Sequence, residues 1–397
     1  MKGKQMIKLS KSAYEIDGQP MFKVLDKVQR LEREGRDILH FELGEPDFDT
    51  PKNIVDACIG ALNEGDTHYT NSMGLYELRE TVQSATKESR GFTPEISQIL
   101  VTPGANSIIY LAVSCLVNPG EEVIIPDPGF PTYHSVISYC GAIPVTVPLH
   151  EANQFRLNPE DVRKKITEKT RLIIINSPSN PTGAVMSPGE INEIGKIAIE
   201  HDIYLLSDEI YARLVFDGEN KFHSPAWLDQ CKERIIIING FSKAFAMTGW
   251  RLGVAIGPAE VIEKMGLVVQ TIISCVPPFI QYAGIEAING DQTELINMKD
   301  QYQQRRNVIV AGLNKIDGIK CINPDGAMYV FPNIRSTGMS SDEFANFVLQ
   351  KAGVALLPGN NFGRFGEGYI RMCYVNSMDK ITEALEKINN ALLEYNR

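Results

Sequence analysis

Between residues 98 and 257 the chain alternates short apolar blocks with longer stretches in which apolar residues return every three or four positions. The blocks span residues 99–101, 122–126, 172–176, 203–207, 235–239 and 252–256. Several are continuous Ile/Val/Leu runs with no apolar–polar alternation. A strand of that kind is covered on both faces, as in a parallel sheet lying between layers of helices. The intervening stretches carry helix-start signals. Ser187-Pro188-Gly189-Glu190 offers a capping hydroxyl, a proline for the first turn and a carboxylate to answer it. Asn158-Pro159-Glu160-Asp161 and Thr50-Pro51 are starts of the same type. The pattern predicts an α/β fold whose large domain holds a mostly parallel sheet between helices.

Beyond about residue 290 the pattern changes. A helical stretch at 295–314 leads to short strands near 326–332 and 368–375. A capped helix at 341–351, stopped by Gly353, lies between them, and a helix at 379–395 follows. These make a smaller α/β unit, and the amphipathic helix at 21–34 is suited to dock on it. The chain, at 397 residues, is long enough for two domains. The expected division is a large domain at 44–285 and a small domain built from both chain ends, 1–43 and 286–397.

Charge and composition narrow the classes. A formal charge of −10 argues against a general nucleic-acid or membrane-surface binder. Seven cysteines without a CxxC pair read as reduced thiols of a cytoplasmic protein, and no metal is expected. Residues 1–9 lack the apolar core of an export signal, and no run reaches the length of a membrane span.

In open α/β sheets, ligands bind beyond the carboxyl ends of the strands. Five blocks are followed there by residues with chemistry to offer. Lys243, in Ser242-Lys243-Ala244-Phe245-Ala246-Met247-Thr248-Gly249-Trp250-Arg251, follows the run Ile235-Ile236-Ile237-Ile238. Burial disfavours its ammonium form, and a free amine attacks aldehydes. Arg251 is a fixed positive fork suited to phosphate. Gly104, Ala105 and Asn106, opening a helix after Thr102-Pro103, are small residues able to present backbone N–H groups to an anion. Phe130, in Asp127-Pro128-Gly129-Phe130-Pro131-Thr132-Tyr133, can stack on a flat ring. Asn180, in Asn176-Ser177-Pro178-Ser179-Asn180-Pro181-Thr182-Gly183, can donate to a ring oxygen from a stiff loop with room for a cis bond. Asp208 is a buried carboxylate that needs a partner, such as a protonated pyridine nitrogen, and Tyr211 follows one helical turn later.

Each feature has an ordinary reading as well: a surface lysine, a turn into a capped helix, core filling, an Asn-Pro turn, an N-capping aspartate. Their shared address at strand carboxyl ends, and their match to the parts of one molecule, point to pyridoxal 5′-phosphate.

These segments resemble those of class I aminotransferases of the aspartate aminotransferase family, pyridoxal-phosphate enzymes of fold type I. The resemblance runs from about Gly44 to Arg371. It implies that Lys243 holds the cofactor as an internal aldimine and that Asp208 keeps the ring nitrogen protonated. Asn180 and Tyr211 would bond the ring oxygen, Phe130 would stack, and Ser242, Arg251 and Gly104-Ala105-Asn106 would take the phosphate. Arg371, by spacing alone a surface ion-pairing residue, would grip the substrate's α-carboxylate, with Gly44 and Asn180 beside it. Tyr69, in His68-Tyr69-Thr70-Asn71, would reach the phosphate of a neighbouring subunit, which implies a homodimer with shared sites. The reaction expected is ping-pong exchange of an amino group between an L-amino acid and a 2-oxo acid. The alternative is a lyase or decarboxylase on the same scaffold. Residues 104–107 and 270–278 hold no lysine or arginine for a second carboxylate, so a dicarboxylate substrate is in doubt.

Overall fold

A computed structural model describes residues 8–216 and 222–395. Residues 1–7, most of the stretch without a signal-like core, lie outside them. In chain order the strands are β1 (Leu39–His40), β2 (Ile99–Pro103), β3 (Glu122–Asp127), β4 (Ile143–Pro148), β5 (Thr170–Asn176) and β6 (Tyr204–Asp208). They continue with β7 (Ile235–Gly240), β8 (Leu252–Ile256), β9 (Tyr329–Val330), β10 (Val354–Ala355), β11 (Leu357–Pro358) and β12 (Ile370–Cys373). Seven of them form one sheet in the order β2-β8-β7-β6-β5-β3-β4.

The uninterrupted apolar runs have a direct structural cause. Successive side chains of a strand point to opposite faces, and here both faces are dry. Val101, Ile124, Ile173, Ile175, Leu205, Ile235, Ile237 and Val254 join one core with the helices Tyr76–Arg90, Pro188–Glu200 and Pro278–Asn289. Their neighbours Leu100, Val123, Leu172, Ile174, Leu206, Ile236, Ile238 and Ala255 join the other with Ala105–Leu116 and Ala259–Ile272. The sequence pattern did not announce β4. Its burial is partial and it carries Pro144 and Pro148, which an edge strand tolerates because one side of its backbone needs no ladder partner.

Strands β3, β4, β5, β6 and β7 are parallel, whereas β8 runs antiparallel to both β2 and β7. The carboxyl ends of β2, β3, β5, β6 and β7 therefore share one edge of the sheet. The loop 241–251 starts and ends at that edge.

A further core gathers residues from both chain ends, among them Phe41, Tyr302, Ile309, Phe344, Val348, Ile370, Tyr374, Ile381 and Ile388. Strand β1 pairs in parallel with β10, tying residue 39 to residue 354. The strands expected near 326–332 and 368–375 are shorter than expected, reduced to β9 and β12, which pair antiparallel. The helix Pro20–Arg33 packs Val28 against Ile38, Leu349 and Ala355, and its Lys27 donates to Asn346 at 2.8 Å.

Candidate active site

At the shared edge of the sheet lies a cavity of about 500 Å³. Lys243, Asp208, Tyr211, Asn180, Phe130, Ser242, Arg251, Ala105, Asn106 and Gly44 all line it, delivered by six separate segments of the chain. Three residues singled out from the sequence do not. Tyr69 is 86% exposed elsewhere, Arg371 lies buried behind the wall, and Gly104 supports the wall from beneath.

Lys243 is half-buried in the loop between β7 and β8, and its Nζ donates to the Gly44 carbonyl at 2.6 Å. Burial draws its pKa down from 10.5 to about 8, and the charges of Arg371 and Arg251 push the same way. Cys373 and Glu45 oppose them. An amine so placed gives up its proton far more readily than an ordinary lysine, which enlarges the free-amine fraction a nucleophile requires. Gly44 must be glycine here: a Cβ would fall 2.1 Å from the Tyr329 hydroxyl.

Asp208 ends β6 and is buried, which raises its carboxyl pKa to about 6. The Tyr133 hydroxyl, donating to Oδ2 at 2.6 Å, and the Ile210 N–H, donating to Oδ1 at 3.2 Å, pull it back down. No lysine, arginine or histidine among the described residues forms an ion pair with it. Residues 209–213 form a turn and not the helical start that an N-capping aspartate would serve. Glu209, next in the chain, turns the other way into a buried pair with Arg90, 2.6 Å away.

The Asn180 backbone N–H donates to the Asn176 side-chain Oδ1 at 2.8 Å, and the Asn180 Oδ1 accepts from Arg371 Nη1 at 3.2 Å. Both X-Pro bonds of this loop that were candidates, Ser177-Pro178 and Asn180-Pro181, are cis, as is Asp127-Pro128. Tyr211 shares a hydrogen bond of 2.8 Å with Tyr329. Phe130 meets Tyr133 edge to face with centroids 5.6 Å apart, so its ring is held on the cavity wall.

Arg251 adopts φ +55 and donates to the Thr248 carbonyl at 2.9 Å, with no carboxylate paired to it among the described residues. Gly104, at φ +79, caps the helix Ala105–Leu116, and a Cβ there would lie 2.3 Å from Arg251 Nη2. The guanidinium and the helix N-terminus thus converge only because that residue is glycine. Arg371 is wholly buried. It rests on the rings of Tyr329 and Phe362 at 4.5 and 5.0 Å and donates to the Glu42 carbonyl, while its Nε has no hydrogen-bond partner.

Several contributors were not read from the sequence. Tyr133 stands three residues after Phe130 in the same Pro-rich segment, so its signal was on view but unassigned. Glu45, whose Oε1 accepts from the Thr248 hydroxyl, and Tyr329, in an unremarkable short strand, gave no local signal. Met21 and Phe22, assigned to a docking helix, also line the cavity.

The arrangement places on one cavity a buried carboxylate without a cation, an amine of lowered pKa, and a guanidinium beside a helix N-terminus. Residues 36–388 match the model of the class I and II aminotransferases, and the chain belongs to that family. It is a transaminase with the mixed α/β architecture of its relatives. It is 44% identical over 358 residues to an aspartate aminotransferase of Pyrococcus horikoshii, covering 90% of this chain and 91% of that one. It is 41% identical over 375 residues to aromatic-amino-acid aminotransferase 2 of Thermococcus litoralis, covering 94% and 95%. The solved aspartate aminotransferase of Rhizobium meliloti superimposes with a TM-score of 0.94 at 33% identity, covering 98% and 99%. The lyase and decarboxylase reading finds no support among these.

Proposed function

We propose that the protein is a pyridoxal 5′-phosphate-dependent aminotransferase. It moves an amino group from an L-amino acid to a 2-oxo acid by ping-pong exchange, with Lys243 as the covalent anchor of the cofactor. The observation that carries the reading is the placement of Lys243 and Asp208 on one cavity, the first an amine whose pKa burial lowers to about 8 and the second a buried carboxylate without a cation.

The residues present suit that group. Asp208 faces the cavity where a protonated ring nitrogen would complete its charge, and Phe130 offers a fixed aromatic face. The glycine cradle at 104, with Ala105, Asn106, Ser242 and Arg251, forms a seat for a phosphate dianion. When bound, the cofactor supplies an electron sink for negative charge developing at the substrate Cα.

The chain's own groups do the rest. Tyr133 fixes the Asp208 carboxylate, which would keep the ring nitrogen of the bound group protonated. Asn180 and Tyr211 would donate to its ring oxygen. Arg371 attracts the α-carboxylate from behind Asn180, its charge unpaired by any carboxylate among the described residues. Lys243 would anchor the cofactor and, once displaced by substrate, would serve as the base placed to take the Cα proton. The Gly44 carbonyl, 2.6 Å from Nζ, steers the amine between those tasks.

The same reading extends to the assembly. Tyr69 projects 86% exposed, as a residue serving a partner's phosphate seat would, in a cytoplasmic homodimer. The separate core built from both chain ends supports a small domain of residues 1–43 and 286–397 beside a large one of 44–285. Borohydride reduction of the holoenzyme, followed by peptide mapping, tests the centre of the proposal. The pyridoxyl mass is expected on Lys243, and its recovery on another lysine rejects the assignment.

A further inference from the structure

Resting on the aminotransferase reading, we infer that the preferred substrate is an L-amino acid with an uncharged, apolar side chain, selected by Met21 and Phe22 of the N-terminal segment. Among the described lining residues the cations are Lys243 and Arg251, one committed to the cofactor's carbon and the other to its phosphate. Apart from Asp208, committed to the cofactor, the one other charged group among the described residues lining the cavity of this protomer is Glu45, and the lining includes the apolar Met21, Phe22 and Leu43. A second carboxylate on the substrate would meet that apolar surface and the like charge of Glu45. An apolar side chain would cover Met21, Phe22 and Leu43, which gain from the contact.

The N-terminal segment is built to stay there. Ser135, on the helix Pro131–Tyr139, donates to the Asp17 carbonyl at 2.6 Å and accepts from the Asp17 N–H at 3.1 Å. That reciprocal pair fastens the chain to the scaffold two residues before Gln19. Pro20 then opens the helix, and Met21 packs partly against the main core. Phe22 is left 53% exposed on a cavity wall. A large ring held on a cavity wall with half its surface open offers an apolar contact to whatever enters the cavity.

The test is a substrate series on the holoenzyme with one fixed 2-oxo acid: L-phenylalanine, L-leucine, L-alanine and L-aspartate. Competitive inhibition by 3-phenylpropanoate and by succinate is measured alongside. The apolar substrates are expected to exceed L-aspartate in kcat/KM by about tenfold or more, since a hydrophobic subsite discriminates by roughly tenfold or more per methylene. 3-Phenylpropanoate should bind more tightly than succinate. Phe22→Ala should lower the phenylalanine-to-alanine ratio of kcat/KM about tenfold, chiefly through KM, and Phe22→Arg should move preference towards L-aspartate. Preference of the unaltered enzyme for L-aspartate overturns this inference and leaves the aminotransferase reading standing. So does a Phe22→Ala variant that lowers both substrates equally. Failure of every amino acid to convert the unreduced cofactor bound at Lys243 overturns both.

Discussion

Tyr133 donates its hydroxyl to Asp208 Oδ2 at 2.6 Å, and the same tyrosine ring pins Phe130 edge to face. One side chain thus sets both the carboxylate meant for the ring nitrogen and the aromatic surface meant for the ring face. Burial and the adjacent carboxylate push the Tyr133 phenol well above its ordinary range, so it remains a donor throughout the working pH range. Its bond partly offsets the desolvation that lifts Asp208 to about 6.

Replacing Tyr133 with phenylalanine removes that donor and little volume. A hydrogen bond to a charged group contributes about 1.5–3 kcal/mol, so the Asp208 carboxyl should rise further and be partly protonated near neutral pH. A protonated Asp208 no longer sustains a positive ring nitrogen. The expected result is a roughly tenfold to hundredfold lower kcat at neutral pH and an acidic limb of the pH–rate profile displaced upward, with partial recovery as pH rises. An unmoved acidic limb would show that Tyr133 serves packing alone.

Gly104→Ala tests the phosphate seat. The new methyl would meet Arg251 Nη2 at 2.3 Å from a residue held at φ +79. Either the arginine swings away or the loop re-forms, and both disperse the donors. Cofactor affinity, titrated by absorbance on the apo-enzyme, should fall about tenfold or more, while the helix Ala105–Leu116 keeps the protein folded. Unchanged affinity would place the phosphate elsewhere.

The buried pair Arg90–Glu209 is expected to support the fold beneath the site. Glu209 also accepts from Ser207 at 3.0 Å and Ser224 at 2.6 Å, so its carboxylate is well supplied. Removing one partner strands a charge in the interior, at a cost of about 3–5 kcal/mol. Glu209→Ala should therefore lower the urea midpoint sharply. The double variant Arg90→Met/Glu209→Gln should recover much of the loss, because neither charge is then stranded. A double variant no better than the single would assign the loss to packing.

What was legible in the sequence follows from how locally each feature is determined. The sheet was legible because strands dry on both faces must be written as unbroken apolar runs, as in Ile235–Ile238. Lys243, Asp208 and Asn180 were legible because each directly follows such a run, where topology alone fixes the address. Edge strand β4 was hidden by its prolines and partial burial. Glu45, Tyr329 and Met21 were not legible as site residues, because what brings them to the cavity is packing between segments far apart in the chain, whereas Tyr133 stood in view beside Phe130 and only its partner Asp208 was distant. Gly104 was expected for its backbone at an anion seat; that its missing Cβ also leaves room for Arg251 depends on a contact far away in the chain. Spacing alone made Arg371 a surface residue, and it is wholly buried, because stacking on Tyr329 and Phe362 takes the place of solvent.

The depressed pKa of Lys243 carries a stability cost whose sign can be worked out. In the apo-protein its folded value is about 8, below the ordinary 10.5. Between those limits the unfolded chain binds a proton that the folded chain has released, so stability rises with pH across that window. Below about pH 8 the penalty is complete and constant, roughly 3 kcal/mol before solvent screening of a half-buried group reduces it to about 1–2 kcal/mol. Lys243→Met should consequently make the apo-protein more stable at pH 7 by about that amount while abolishing turnover. The advantage should shrink between pH 8 and 10.5 and vanish above it. In the unaltered protein, the rate of cofactor capture should climb with pH through about 8 as the amine is freed. Urea unfolding of both proteins across this range measures the difference. A gap that stays flat with pH, or a methionine variant less stable at pH 7, would mean that the lysine cation is comfortably accommodated and that its reactivity arises only once the cofactor is in place.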